Sequence, residues 1–194
     1  MEAPTINIIM DDRINFHDKD RLILEFERQG ITDFIFWEAV INEKSIVDSI
    51  AQSFKNIVYD AKEKGLKRVI VAEQDLFFPN VNGWKYFLEN EPKEYSVYIG
   101  GNYLVDNRVE YKAPLVKVRE WVGNQLIIID ESYYDTWLST PLNSHIDTAQ
   151  AGKGDFYVCF PYPALQMPSK SANCNYQMVN YNAMIQDLDG FIYE

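Results

Sequence analysis

Arg68-Val69-Ile70-Val71-Ala72-Glu73-Gln74-Asp75-Leu76-Phe77-Phe78-Pro79 is the stretch that decides the reading of this chain. Its short apolar, β-branched run predicts a buried strand, and the run stops abruptly at Glu73-Gln74-Asp75. The amphipathic segment before it closes on Gly65. A helix feeding a buried strand is one unit of a parallel α/β sheet. In open α/β sheets, ligands bind just beyond the carboxyl ends of the strands. Two carboxylates one residue apart at such an end suit a divalent cation, which sets Glu73 and Asp75 apart from the other acids.

Upstream, Ile6 to Met10 reads as a first strand ending at Asp11-Asp12-Arg13. Lys19 to Gln29 reads as a helix, with Asp18 as N-cap and Gly30 as its stop. Asp33 to Trp37 is a second strand. The longest helix runs from Ile46 to Lys64, with Ile46, Ile50, Phe54, Ile57, Val58 and Ala61 on one stripe. Ser45 and Asp48 form its capping box, and Gly65 ends it. Residues 6–75 are thus expected to form β-α-β-α-β, half of a nucleotide-binding sheet. Neither a GxGxxG fingerprint nor a P-loop is present.

Downstream, Trp84 to Glu89 is a predicted short helix, and Ser96 to Ile99 a strand running into Gly100-Gly101-Asn102. That pair of glycines permits either a tight turn or close approach of backbone to a ligand. Residues 114–130 predict two strands around Gly123-Asn124. Ser132 to Leu138 and Asn143 to Ala149 predict short helices. Asp155 to Phe160 predicts a last strand before the loop Pro161 to Asn175, and the tail is expected to be extended.

At 194 residues, 47% hydrophobic and 24% charged, the chain has the size and make-up of one globular domain. No run reaches the roughly 18 apolar residues of a membrane span. The Met1-Glu2-Ala3-Pro4 start carries no signal-peptide pattern, so the expected location is cytoplasmic, peripheral at the membrane where an acceptor is membrane-linked. Cys159 and Cys174 are expected to be free thiols. A net charge of −11 argues against a nucleic-acid polymer or an anionic membrane surface as partner. It leaves room for a nucleotide, because one bound cation can neutralise a diphosphate locally. The 13 Tyr and 4 Trp supply rings that pack a core and also stack on sugars and bases.

Several elements occur in an order and spacing that resemble a known family. Ala51-Gln52-Ser53-Phe54 precedes Glu73-Gln74-Asp75 by about twenty residues. Asn143-Ser144-His145-Ile146-Asp147 is followed by a strand and then by Pro163-Ala164-Leu165-Gln166-Met167-Pro168-Ser169-Lys170-Ser171. This pattern resembles GT-A-type glycosyltransferases, and among them the lipopolysaccharide-modifying and collagen galactosyltransferases, over roughly residues 6–175. The resemblance implies a single-domain, GT-A-like (Rossmann-like) mixed α/β sheet flanked by helices. Residues 6–100 would form the nucleotide-sugar-binding half and 101–194 the acceptor half. It implies transfer of a hexose from a nucleotide sugar, UDP-linked, to a glycan or lipopolysaccharide-type acceptor, with inversion and with Mn²⁺ or Mg²⁺ as cofactor.

The resemblance also implies roles. Asp75 and His145 would bind the metal, and Asp147 would be the general base. Asp11, Arg13, Ser53, Glu73, Gln166 and Ser171 would meet the donor, with Lys170 and Ser171 covering the diphosphate or the acceptor. Two positions depart from the family pattern: its middle acid is Gln74 here, and the histidine after its serine is Phe54. These departures favour the rival reading, a non-catalytic nucleotide- or glycan-binding protein on the same fold. A nucleotidyltransferase would need a basic glycine-rich loop near the first strand, and the sequence has none.

Overall fold

The structure is a computed structural model that describes residues 4–14, 18–102, 104–112, 114–171, 174 and 176–180, with backbone alone over 104–112. The expected extended tail and His17 lie outside the described residues. The chain runs β1 (Ile6–Met10), α1 (Asp18–Gln29), β2 (Phe34–Glu38), α2 (Ile46–Glu63), β3 (Arg68–Glu73), β4 (Leu76–Phe77) and α3 (Gly83–Glu89). It continues through β5 (Val97–Gly101), β6 (Leu104–Lys112), β7 (Leu115–Val122), β8 (Leu126–Asp130), α4 (Tyr134–Leu138), β9 (Phe156–Cys159), β10 (Leu165–Gln166), β11 (Ser169–Ser171) and β12 (Gln177–Val179).

Eight strands form one mixed sheet in the order β2-β1-β3-β8-β5-β9-β7-β6. The predicted β-α-β-α-β unit is present: β1 pairs in parallel with both β2 and β3. Beyond β3 the sheet is mixed: β8 runs antiparallel to both of its neighbours, β3 and β5, whereas β5 and β9 pair in parallel. The central strands are apolar on both faces because each face carries its own core. Val69 and Val71 of β3 pack with Phe54, Ile57 and Val58 of α2. Ile70 and Ala72 face the other way, toward Leu22 and Phe26 of α1 and Phe87 of α3. This alternation follows from the two-residue period of a strand.

Local chemistry sets the helix ends. The Ser45 hydroxyl accepts the Asp48 N–H at 3.1 Å, as the capping pattern predicts. Gly65 adopts φ 65°, the left-handed conformation that ends α2 without a Cβ penalty. Several expectations need correction. Asp18 is the first residue of α1 rather than its cap. Residues 143–149 form no α-helix; only Thr148–Gln150 makes a 3₁₀ turn. The predicted loop 161–175 contains β10 and β11, and β6 extends the sheet where no strand was predicted. Gly100 and Gly101 lie within β5 rather than in a turn, and protein packs closely on them: a Cβ on Gly101 would stand 2.6 Å from the Ala164 carbonyl oxygen. As expected, no disulfide joins Cys159 and Cys174. No helix among the described residues is long and apolar enough to cross a membrane.

Candidate functional site

The carboxyl ends of β1 and β3 open into a cavity of about 360 Å³. Its walls come from segments 9–14, 39–54, 73–75, 122–124, 145–148 and 166–171, so both halves of the chain contribute. All ten residues given roles from the sequence line this one cavity: Asp11, Arg13, Ser53, Glu73, Asp75, His145, Asp147, Gln166, Lys170 and Ser171. Ile9, Ile14, Val40, Ile46, Ile50, Val122 and Ile146 give the remaining walls an apolar character.

At the end of β1, Asp11 and Arg13 form a closed unit. Arg13 Nε and Nη2 donate to the two Asp11 carboxylate oxygens at 2.8 and 2.6 Å, and the Arg13 backbone N–H adds a third bond at 3.0 Å. Burial pushes the Asp11 carboxyl up, but these bonds outweigh it and hold the group below its ordinary value. The Arg13 guanidinium also lies over the Tyr176 ring, 5.5 Å from its centroid.

At the end of β3, the two acids differ in their bonding. Asp75 Oδ2 accepts from Gln166 Nε2 at 2.6 Å and from Ser169 Oγ at 2.7 Å, while its buried Oδ1 has no partner among the described residues. The Glu73 carboxylate is half-buried and accepts no hydrogen bond among the described residues. Burial raises the Glu73 carboxyl well above the ordinary range, and the charges of Asp75 and Asp147 raise it further. Burial raises Asp75 as well, against the opposing pull of Ser169 and Gln166. Two neighbouring carboxyls held above their usual range, with the Glu73 oxygens and Asp75 Oδ1 free of donors among the described residues, form an acidic centre.

Asp147 stands close enough to Glu73 for their charges to interact. Its Oδ2 accepts the Gly123 N–H at 2.8 Å and its Oδ1 the Thr148 N–H at 2.7 Å. The carboxylate therefore ties the turn between β7 and β8 to the 145–148 segment. His145 lines the same cavity from an exposed position. The buried Ser53 hydroxyl accepts the Val40 N–H at 2.8 Å and donates to the Ser49 carbonyl. It thereby shapes the wall at 39–42.

The oxygens that could hold a cation are those of Glu73 and Asp75 Oδ1. Among the described residues, no three or more His, Cys, Asp or Glu side chains are arranged to hold a metal by themselves. Mg²⁺-type sites commonly take one or two carboxylates and complete their shell with water and substrate phosphate, so this donor set fits such an ion.

Two contributors escaped sequence reasoning, Gln125 and Ser169, and Gln74, noted there only as a departure, takes a different role. Gln125 Nε2 donates to Gln166 Oε1 at 2.7 Å and so supports the Gln166–Asp75 bond. Ser169 bonds Asp75 directly. Gln74 turns its side chain away from the acidic centre, toward the β1 turn and Asp18. For Ser169 a faint signal existed, since it lies in the polar segment after the last predicted strand. For Gln125 there was none.

This architecture is shared with solved structures. The chain is similar to a protein from STIV, with a TM-score of 0.55, 12% identity and coverage of 91% of this chain and 93% of that one. The fold is GT-A-like. A glycosyltransferase involved in the glycosylation of the major capsid of PBCV-1 matches with a TM-score of 0.56 and 10% identity, over 96% of this chain and 99% of that chain. A mannose-1-phosphate geranyltransferase from Thermus thermophilus matches with a TM-score of 0.50 and 8% identity, over 86% of this chain and 74% of that chain. No protein-family model matches the chain, and no curated protein matches it either. At such identities the likeness is one of fold, and it does not single out the lipopolysaccharide-modifying and collagen galactosyltransferases.

Proposed function

We propose that this protein is a glycosyltransferase that moves a hexose from a nucleoside diphosphate sugar, UDP-linked, to a glycan or lipopolysaccharide-type acceptor. The observation that carries the reading is the acidic pair Glu73 and Asp75 at the end of β3, inside a cavity that also presents Arg13 and Lys170. Four carboxylates, those of Asp11, Glu73, Asp75 and Asp147, line that cavity against these two cations. A bare diphosphate would be repelled there, whereas a diphosphate paired with Mn²⁺ or Mg²⁺ would be attracted. The PBCV-1 glycosyltransferase, which this chain matches over nearly its whole length, supports the same class.

In this reading Glu73 and Asp75 Oδ1 hold the cation, and Gln166 and Ser169 keep Asp75 turned toward it. The cation supplies Lewis-acid stabilisation of the departing diphosphate. Arg13 and Lys170 meet the phosphate oxygens, and Ser171 closes the rim beside them. The apolar wall around Val40, shaped by Ser53, receives the base. Asp147, fixed by two backbone N–H groups, accepts the proton of the acceptor hydroxyl as that oxygen attacks the anomeric carbon, which gives inversion. His145 lines the same cavity from an exposed position, where it would bind the cation or meet the acceptor.

The rival, a nucleotide- or glycan-binding protein without catalysis, is favoured by Phe54. That ring is buried and packs 6.2 Å from Trp137, so it offers the site no polar group. A thermal-shift panel of UDP, GDP and CMP sugars, with and without Mn²⁺, tests the proposal. UDP sugars should stabilise the protein only with the metal, and Asp75→Asn should abolish that gain while still unfolding in one cooperative transition without metal. Stabilisation without turnover on any glycan acceptor would select the rival, and no stabilisation by any sugar nucleotide would end the transferase reading and favour the rival in its glycan-binding form.

A further inference from the structure

Gln74 occupies the place where the resembled family carries its middle acid, and the geometry gives it a different task. Its side chain is only 4% exposed and makes two bonds of opposite polarity. The carbonyl oxygen accepts the backbone N–H of Asp11. The amide nitrogen donates to Asp18 Oδ2 at 2.9 Å, and Asp18 is itself only 4% exposed. Asp11 in turn holds the Arg13 guanidinium with both carboxylate oxygens. One side chain thus connects the end of β3 to the start of α1 and, through Asp11, to the cation at the mouth of the cavity. The Gln74 backbone is fixed as well, since Arg21 Nη2 donates to its carbonyl oxygen at 2.5 Å.

We infer that Gln74 is a positioning residue that sets the Asp11–Arg13 unit for the donor phosphates, because its amide accepts from Asp11 and donates to Asp18 without taking up a proton, which a carboxyl could do only by holding one beside buried Asp18. A carboxylate at this position would place two buried acids against one another with no proton between them. The phosphate contact of Arg13 rests on the proposed function; the coupling of Gln74 to Arg13 does not.

The test exchanges the polarity of the pair. Gln74→Glu should free the Arg13 side chain, seen as loss of the protected Arg13 Nε–H signal in ¹⁵N NMR. Combining Gln74→Glu with Asp18→Asn should restore it, because the amide introduced on α1 can then donate to the new carboxylate. Gln74→Met, neutral and of similar size, should also lose the signal, and it serves in place of Gln74→Glu if that variant does not fold. In calorimetry with Mn²⁺ and UDP, Gln74→Glu should weaken binding about 10- to 100-fold, as expected for one charge-assisted bond, and the double variant should recover it. A folded Gln74 variant that keeps the Arg13 signal, or a double variant that fails to regain it, overturns the inference. If the wild-type protein binds no nucleotide, the donor reading fails, while the NMR comparison still decides the role of Gln74.

Discussion

Glu73 and Asp75 lie one residue apart, and each has a carboxyl pushed above its ordinary value by burial. A carboxyl whose folded value is raised holds its proton more tightly in the folded protein than in the unfolded chain. Its contribution to stability is full below the unfolded value and is lost as pH rises through the folded one. Metal-free protein should therefore lose stability as pH is raised from about 4.5, near the unfolded carboxyl range. Melting temperatures measured in EDTA across that range should fall in the wild type and fall less in Glu73→Gln. An identical slope in the variant would remove Glu73 from the account. Asp147 supports a separate expectation. Asp147→Asn retains the Oδ that accepts one backbone N–H and removes the base, so transfer should drop about 10²- to 10⁴-fold. Mn²⁺–UDP affinity, measured by calorimetry, should hardly change; its collapse would make Asp147 a metal ligand instead.

At the level of elements, the acidic pair is held in place by the segment that follows β9. Ala164 donates its N–H to the Gly100 carbonyl at 3.1 Å, and β10 pairs with β4, which brings Gln166 and Ser169 onto Asp75. This contact needs Gly101, because the Ala164 carbonyl oxygen occupies the space of a side chain there. Gly101→Ala should cost about 1–3 kcal/mol through overpacking against backbone that cannot move freely. The same variant should weaken metal-dependent nucleotide binding, because Gln166 shifts with Ala164. Urea unfolding and calorimetry on one preparation would measure both effects, and a loss of stability with unaltered binding would uncouple β10 from the site.

Across the whole molecule, one sheet with a core on each face carries both the cavity and its far wall. Trp121 of β7 is fully buried, meets the Phe156 ring edge-on at 4.8 Å, and donates its Nε1–H to Asn124 at 3.0 Å. Asn124 neighbours Gly123, whose N–H holds Asp147. Trp121→Ala should cost about 3–5 kcal/mol of global stability, the usual cost of removing a buried ring of this size. Denaturant unfolding followed by circular dichroism would report it; a cost below about 1 kcal/mol would show that the core collapses around the gap.

The sequence by itself determined the first half of the sheet, the ends of α2, the buried character of β3 and the acids at its end. These follow from periods and caps that act within a few residues: alternation along a strand, a 3.6-residue stripe, a serine cap and a glycine stop. The ten candidate residues were legible as types, and all ten line one cavity. What the tertiary structure alone decided lies in contacts between distant segments. The antiparallel insertion of β8 beside β3, the closure of Gln166 and Ser169 on Asp75, the Gly123 N–H on Asp147, and the turning of Gln74 toward Asp18 all join residues far apart in the chain. A single position carries no record of such a partner, because the energy belongs to the pair and exists only once folding has brought both sides together.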